Sequence, residues 1–250
     1  MLVLAVHGSA DPAAAAVIGR LVRTLRTTGG TPVLVGHLDV QRPSLAEVVR
    51  ARPGAVVVPL LLGDGYHRTV DIPAVLDGTG CALTAGLSGE PDIAAALYGR
   101  LRAAERAADP SARADAVLVA GAGSSRPGGN TGTEDAATRL AALLAASAGG
   151  PGTAPVPVRT AYLTSAAPTV PEALAELRAA GHRRIAVAAH LLAPGRFTRF
   201  LADAGAWTVT EPLADHPRVA RLVLARHRAA EDARAAADTR AALPGTRTAC

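Results

Sequence analysis

Aromatic residues are almost absent from this chain of 250 residues: two Phe, three Tyr and one Trp. A core must then be built from Ala, Val and Leu, and a hydrophobic fraction of 49% is ample for one. The same scarcity argues against single-stranded nucleic acid, which is held by base stacking on rings along a basic groove. Lysine is missing altogether, and all 26 basic residues are Arg. With the high Ala content this reads as a codon-composition bias, so the net charge of +5 is no argument for nucleic acid. Cys81 and Cys250 are the only cysteines, which leaves no CxxC pair, no iron–sulfur ligand set and no disulfide framework. No segment approaches the ~20 uninterrupted apolar residues of a membrane span. The opening MLVLAVHGS has too short an apolar run, and no charged start, for a signal peptide. The expected setting is a reducing cytoplasm, with no membrane and no nucleic acid as partner.

Charge is unevenly placed. Residues 1–110 hold 10 Arg and 10 acids, whereas residues 111–250 hold 16 Arg and 11 acids. A scattered Arg excess of this kind suits a polycarboxylate or another anionic small molecule, or a solvated surface.

Short β-rich runs alternate with longer Ala/Leu/Arg stretches of helical period. The pattern predicts strands near 2–6, 32–38, 55–62 and 81–85, with helices near 12–27, 43–51, 70–77 and 91–107. After a linker at 107–115 the series repeats. Strands are expected near 116–121, 156–163, 184–190 and 207–210, and helices near 133–147, 169–180, 196–203 and 217–229. Such alternation implies parallel sheets. The expected organisation is an α/β protein of two similar lobes, each a small parallel sheet flanked by helices. The lobes span residues 1–108 and 115–229, and residues 230–250 read as a frayed helix and a flexible tail.

The two halves align in detail. Leu38-Asp39-Val40-Gln41-Arg42-Pro43-Ser44 meets Leu163-Thr164-Ser165-Ala166-Ala167-Pro168-Thr169, and Glu47 meets Glu172. His7-Gly8-Ser9 meets Ala122-Gly123-Ser124, and Pro59-Leu60-Leu61-Leu62 meets Ala189-His190-Leu191-Leu192. A Gly/Pro-rich insertion at 148–157 accounts for the drift in offset. This is the pattern of an ancient duplication, with two α/β lobes facing each other across a cleft.

The alignment exposes an asymmetry. In the first half, LVLAV leads directly into His7, and AVVVPLLL leads through a Gly-rich turn to His67. Their counterparts are Ala122 and Phe197. Parallel strands would put both histidines at the carboxyl edge of one sheet, where open α/β sheets bind their ligands. Two neutral imidazoles facing one cleft can hold a divalent transition metal or remove protons near neutral pH. The other candidates carry blander readings. Asp71 reads as a helix cap before Ile72-Pro73. Asp39 either orients a histidine or metal, or is a surface carboxylate. Gly8 and Ser9 shape the turn that exposes His7. His37 and His190 read as packing residues. His216 and His227 share a helix face but lack a third ligand. GAGSSRPGGN at 121–130 has neither the GKS/T ending nor the GxGxxG spacing of a nucleotide site.

HGS after the first strand, LDVQRPSL after the second and PLLLxxxxHxxxDIP after the third resemble the sirohydrochlorin chelatases in their long, two-lobe form. The resemblance covers roughly residues 1–228. The chain departs from the family pattern at Ala10, where a basic residue usually stands, at Arg68-Thr69, where a Lys is common, and at Asp39 in place of Glu. The resemblance implies insertion of Fe²⁺, or alternatively Co²⁺, into sirohydrochlorin without ATP, a nucleotide cofactor or an iron–sulfur cluster. It implies His7 and His67 as metal ligands and proton acceptors, with Ser9, Asp39, Arg68 and Asp71 around them, in a monomer. A non-catalytic tetrapyrrole or metal carrier is the alternative of a different class.

Overall fold

The computed structural model describes residues 1–147 and 155–242. Strands β1 (Leu2–Val6), β2 (Val33–His37), β3 (Val56–Pro59) and β4 (Ala82–Leu83) form a parallel sheet in the order β2-β1-β3-β4. Strands β5 (Ala116–Gly121), β6 (Val158–Tyr162), β7 (Ile185–His190) and β8 (Thr208–Val209) form a second in the order β6-β5-β7-β8. The topology of the first half is therefore repeated in the second. Both sheets reverse direction of winding at their central pair, β1/β3 and β5/β7, and leave a crevice at that carboxyl edge.

The helices are α1 (Pro12–Gly29), α2 (Leu45–Ala51), α3 (Ile72–Leu76), α4 (Pro91–Ala108), α5 (Thr131–Ser147), α6 (Val170–Ala179), α7 (Arg196–Ala202) and α8 (Pro217–Ala242). Local chemistry sets their ends. Asp11 accepts from the Ala13 N–H, Pro12 opens α1, and Gly30 closes it in the left-handed conformation at φ 62°. Ser44/Glu47 on α2 and Thr169/Glu172 on α6 form matching capping boxes, which is the aligned Glu pair of the sequence repeat.

β1 and β5 are buried on both faces, which explains their unbroken apolar runs. The inward residues Leu2, Leu4 and Val6 of the first sheet share one core with Val117 and Val119 of the second. Helices α1, α4, α5 and α8 fill the space between the sheets. On the outside, α2 and α3 cover the first sheet through Leu45, Val49 and Ile72. There α6 and α7 cover the second through Leu174, Leu177 and Leu201.

Several expectations are corrected. The last helix of each half crosses over: α4 packs on β7, β8 and α5, whereas α8 packs on β3 and α1. The last helix of each half therefore lies against the sheet of the other half. The edge strands β4 and β8 are two residues long, shorter than the 81–85 and 207–210 expected. The helix expected at 70–77 is a π-helical turn, His67–Asp71, running into α3. The frayed helix expected after residue 230 is the end of α8, which runs through Ala242, and Arg234 on it donates to the Gly54 and Gly80 carbonyl oxygens of the first half. Residues 243–250 of that tail, and most of the 148–157 insertion, lie outside the described residues.

Candidate metal-handling site

His7 follows β1 directly. The ladder with the second strand continues past it: Leu38 N–H donates to Val6 O and Asp39 N–H to His7 O, both at 2.9 Å. Gly8 turns the chain at φ 99°, and a Cβ there would lie 2.3 Å from the Asp39 carbonyl oxygen. No other residue fits this approach without moving His7. Ser9 N–H then donates to the Gln41 side-chain oxygen at 3.1 Å, and the Ser9 hydroxyl accepts from Asp11 N–H.

His67 opens the π-helical turn after β3, a type of turn frequent at functional sites. The two imidazoles meet at the β1/β3 crevice, with ring centroids 4.8 Å apart and planes at 78°. Nδ1 of His67 lies 2.7 Å from Asp71 Oδ2, one turn along. Asp71 makes no side-chain cap bond, so the cap reading is corrected: its carboxylate binds the histidine instead. In the neutral ring this fixes the proton on Nδ1 and leaves the Nε2 lone pair for a ligand or proton.

The other candidates fall differently. Asp39 holds the His7–Gly8 turn through its backbone, while its carboxylate accepts from Val40 N–H at 2.8 Å and touches neither histidine. Arg68 lines the cleft but pairs with Asp64 at 2.7 Å within its own turn. Ser9 lines the cleft opposite Gly195. His37 also reaches the wall, with Nδ1 3.0 Å from Pro43 O. Among the described residues, no group of three or more His, Cys, Asp or Glu side chains is placed to hold a metal.

The cleft between the lobes has a volume of about 1060 Å³ and is walled largely by apolar groups such as Val6, Ile18, Leu60, Leu62 and Leu192. Gln41, Arg196 and Phe197 line it too and were missed as site residues. Gln41 faces Ala166 in the repeat alignment, so the asymmetry that marks His7 and His67 marks Gln41 as well.

His190 lies at the end of β7, buried, its Nδ1 3.0 Å from the Thr133 hydroxyl. Burial alone pushes its pKa from 6.5 down to about 4. Between those values the unfolded chain binds a proton that the folded chain refuses, so stability falls on acidification. The full shift corresponds to about 3 kcal/mol. His216 and His227 are shifted down by burial and contribute with the same sign. His190→Leu is therefore expected to reduce, not abolish, the fall in thermal midpoint between pH 6.5 and 4. Equal slopes in variant and parent would show that the imidazole takes up its proton in the fold without cost.

No described helix is long and apolar enough to cross a membrane. Among solved structures, the chain is similar to SirB from Bacillus subtilis with Fe³⁺, with TM-score 0.71, 21% identity, and 91% of this chain and 93% of that one covered. It is similar to the cobalt complex of the sirohydrochlorin chelatase SirB from Bacillus subtilis subspecies spizizenii, with TM-score 0.67, 18% identity and the same coverage. A third is CbiX, described as the terminal enzyme for biosynthesis of siroheme in denitrifying bacteria, with TM-score 0.63, 18% identity, and 92% and 98% covered. These likenesses establish the fold. A sirohydrochlorin cobaltochelatase of Methanothermobacter thermautotrophicus is 35% identical over 75 residues, 28% of this chain and 52% of that protein. The chain thus spans about half the length of the curated relative it matches. The CbiX family model matches residues 1–104 and again 116–230, once in each half of the duplication. With both repeats matched and the duplicated fold shared, the chain belongs to the CbiX family, the sirohydrochlorin chelatases.

Proposed function

We propose that this protein inserts a divalent metal into sirohydrochlorin without ATP, with Fe²⁺ as the physiological metal. The observation that carries the reading is the pair His7 and His67 in contact at the β1/β3 crevice, with His67 anchored by Asp71. Metallation needs ligands that deliver the metal without holding it too tightly, and a base for the two pyrrole N–H protons that the metal displaces. Two imidazoles do both and leave coordination positions for the macrocycle nitrogens. The His67–Asp71 bond fixes the ring so that Nε2 faces the metal or proton it is to take. The apolar walls suit the faces of a flat macrocycle. We infer a cytoplasmic monomer that needs neither nucleotide nor iron–sulfur cluster.

Fe²⁺ is favoured because the long, two-lobe form resembles the siroheme branch. Cobaltochelatase activity at the same site is the second reading, supported by the name of the 35% identical relative. Purified protein given sirohydrochlorin with Fe²⁺ and Co²⁺ in competition, followed by absorbance, tests both. Faster insertion of Fe²⁺ supports the proposal, and faster insertion of Co²⁺ favours the second reading. Tight binding of the macrocycle with neither metal inserted would make the protein a carrier.

A further inference from the structure

The second sheet has its own switch point, at the ends of β5 and β7. At the places of His7 and His67 it carries Ala122 and Phe197, and the loops there bring Arg126 and Arg196 instead. Rings are scarce in this chain, yet two of them stand at the cleft with a guanidinium over each. Arg196 lies 5.3 Å from the Phe197 centroid, and Arg126 lies 5.8 Å from that of Tyr66 on the opposite lobe. Tyr66, Phe197 and Arg196 line the cleft, and Arg126 lies over Tyr66 from a smaller adjoining pocket that shares Ser124 and Asn130 with the cleft.

The charge balance of the two walls differs. On the first lobe, Arg42 is neutralised by Glu47 and Arg68 by Asp64. On the second, neither Arg126 nor Arg196 has an ion-pair partner among the described residues, and both are exposed. Glu134, the acid beside Arg126, accepts from the Tyr162 hydroxyl. Arg199 of the same helix as Arg196 is tied to Asp11 across the lobes at 2.5 Å, which holds that helix against the first-lobe loop. A guanidinium within cation–π range of a ring and without an ion-pair partner keeps its N–H fork for a carboxylate, which it grips in bidentate fashion.

We propose that Arg126 and Arg196 form a carboxylate-binding site on the second-lobe wall, which anchors the acid side chains of a planar polycarboxylate while its reacting centre faces His7 and His67. The inference rests on the tetrapyrrole reading for the identity of the ligand. The loss of imidazoles from the second lobe then accompanies a change of task, from metal to carboxylate.

The test uses Arg126→Gln, Arg196→Gln and the double variant in the full chain. Two probes are titrated at low and high salt: metal-free sirohydrochlorin, and mellitate, a flat hexacarboxylate with no nitrogen ligand. Each single variant is expected to weaken both about tenfold. The double variant should weaken them about a hundredfold with a shallower salt dependence. Co²⁺ affinity in the absence of macrocycle should be unchanged. A double variant that binds both probes like the parent overturns the site. A parent that binds mellitate through these arginines but does not bind sirohydrochlorin keeps the site and overturns the tetrapyrrole reading.

Discussion

Replacing His7 or His67 with Ala is expected to slow metal insertion into sirohydrochlorin by about 10²–10⁴-fold each, the range for loss of a general base. The pair acts as a unit, with rings 4.8 Å apart, so the double variant should fall little below the worse single variant. Stability should change by no more than ~1 kcal/mol, because His7 is exposed and the His67 side chain is 42% exposed. His182→Ala is the matched control: it sits 3.7 Å from Asp115, away from the cleft, and should retain the parent rate. Turnover with Fe²⁺ and with Co²⁺ decides the matter. A double variant that inserts metal as fast as the parent would remove these histidines from the mechanism.

Asp71→Asn should lower the rate by about 10–100-fold, the usual cost of losing a carboxylate that orients a metal-binding histidine. The amide keeps the shape but loses the charge, so the His67 ring is less firmly held on Nδ1 and its Nε2 is less well aimed. A merely structural aspartate would give a different result: unchanged Co²⁺ affinity, with only a lower melting temperature. The expected signature is the reverse, a weaker affinity for Co²⁺ at near-parent stability. Because Asp71 makes no cap bond to α3, no helix end is lost with it.

The Asp71 case shows where local reading stops. Asp before Ile-Pro is a helix-start pattern, and α3 does begin at Ile72. The cap reading fails because the preceding residues form a π-helical turn, which brings the carboxylate back onto His67. A π-helical turn of five residues is too short to show a period of its own, so from sequence it is indistinguishable from ordinary helix. Asp39 leaves local reading with two options, a group that orients a histidine or metal and a surface carboxylate, and in the fold its carboxylate accepts from the Val40 N–H.

What the chain determined by itself is what depends on local period and on comparison of its halves. Alternating apolar runs specify two parallel sheets, since residues buried on both faces must be apolar without a break. The repeat places strand ends in register, and the replacements at Ala122 and Phe197 single out His7 and His67 without reference to any contact. Tertiary structure alone decided the rest. The exchange of α4 and α8 between the sheets depends on which apolar faces meet, and any amphipathic helix of that length reads the same from its own residues. The arginines without an ion-pair partner among the described residues, and the Tyr66 ring beside Arg126, are set by long-range neighbours, and the carboxylate that serves His67 by the turn that the fold imposes there. Charge and hydrogen bonding act between groups that the fold brings together, and a one-dimensional pattern carries no distance between them.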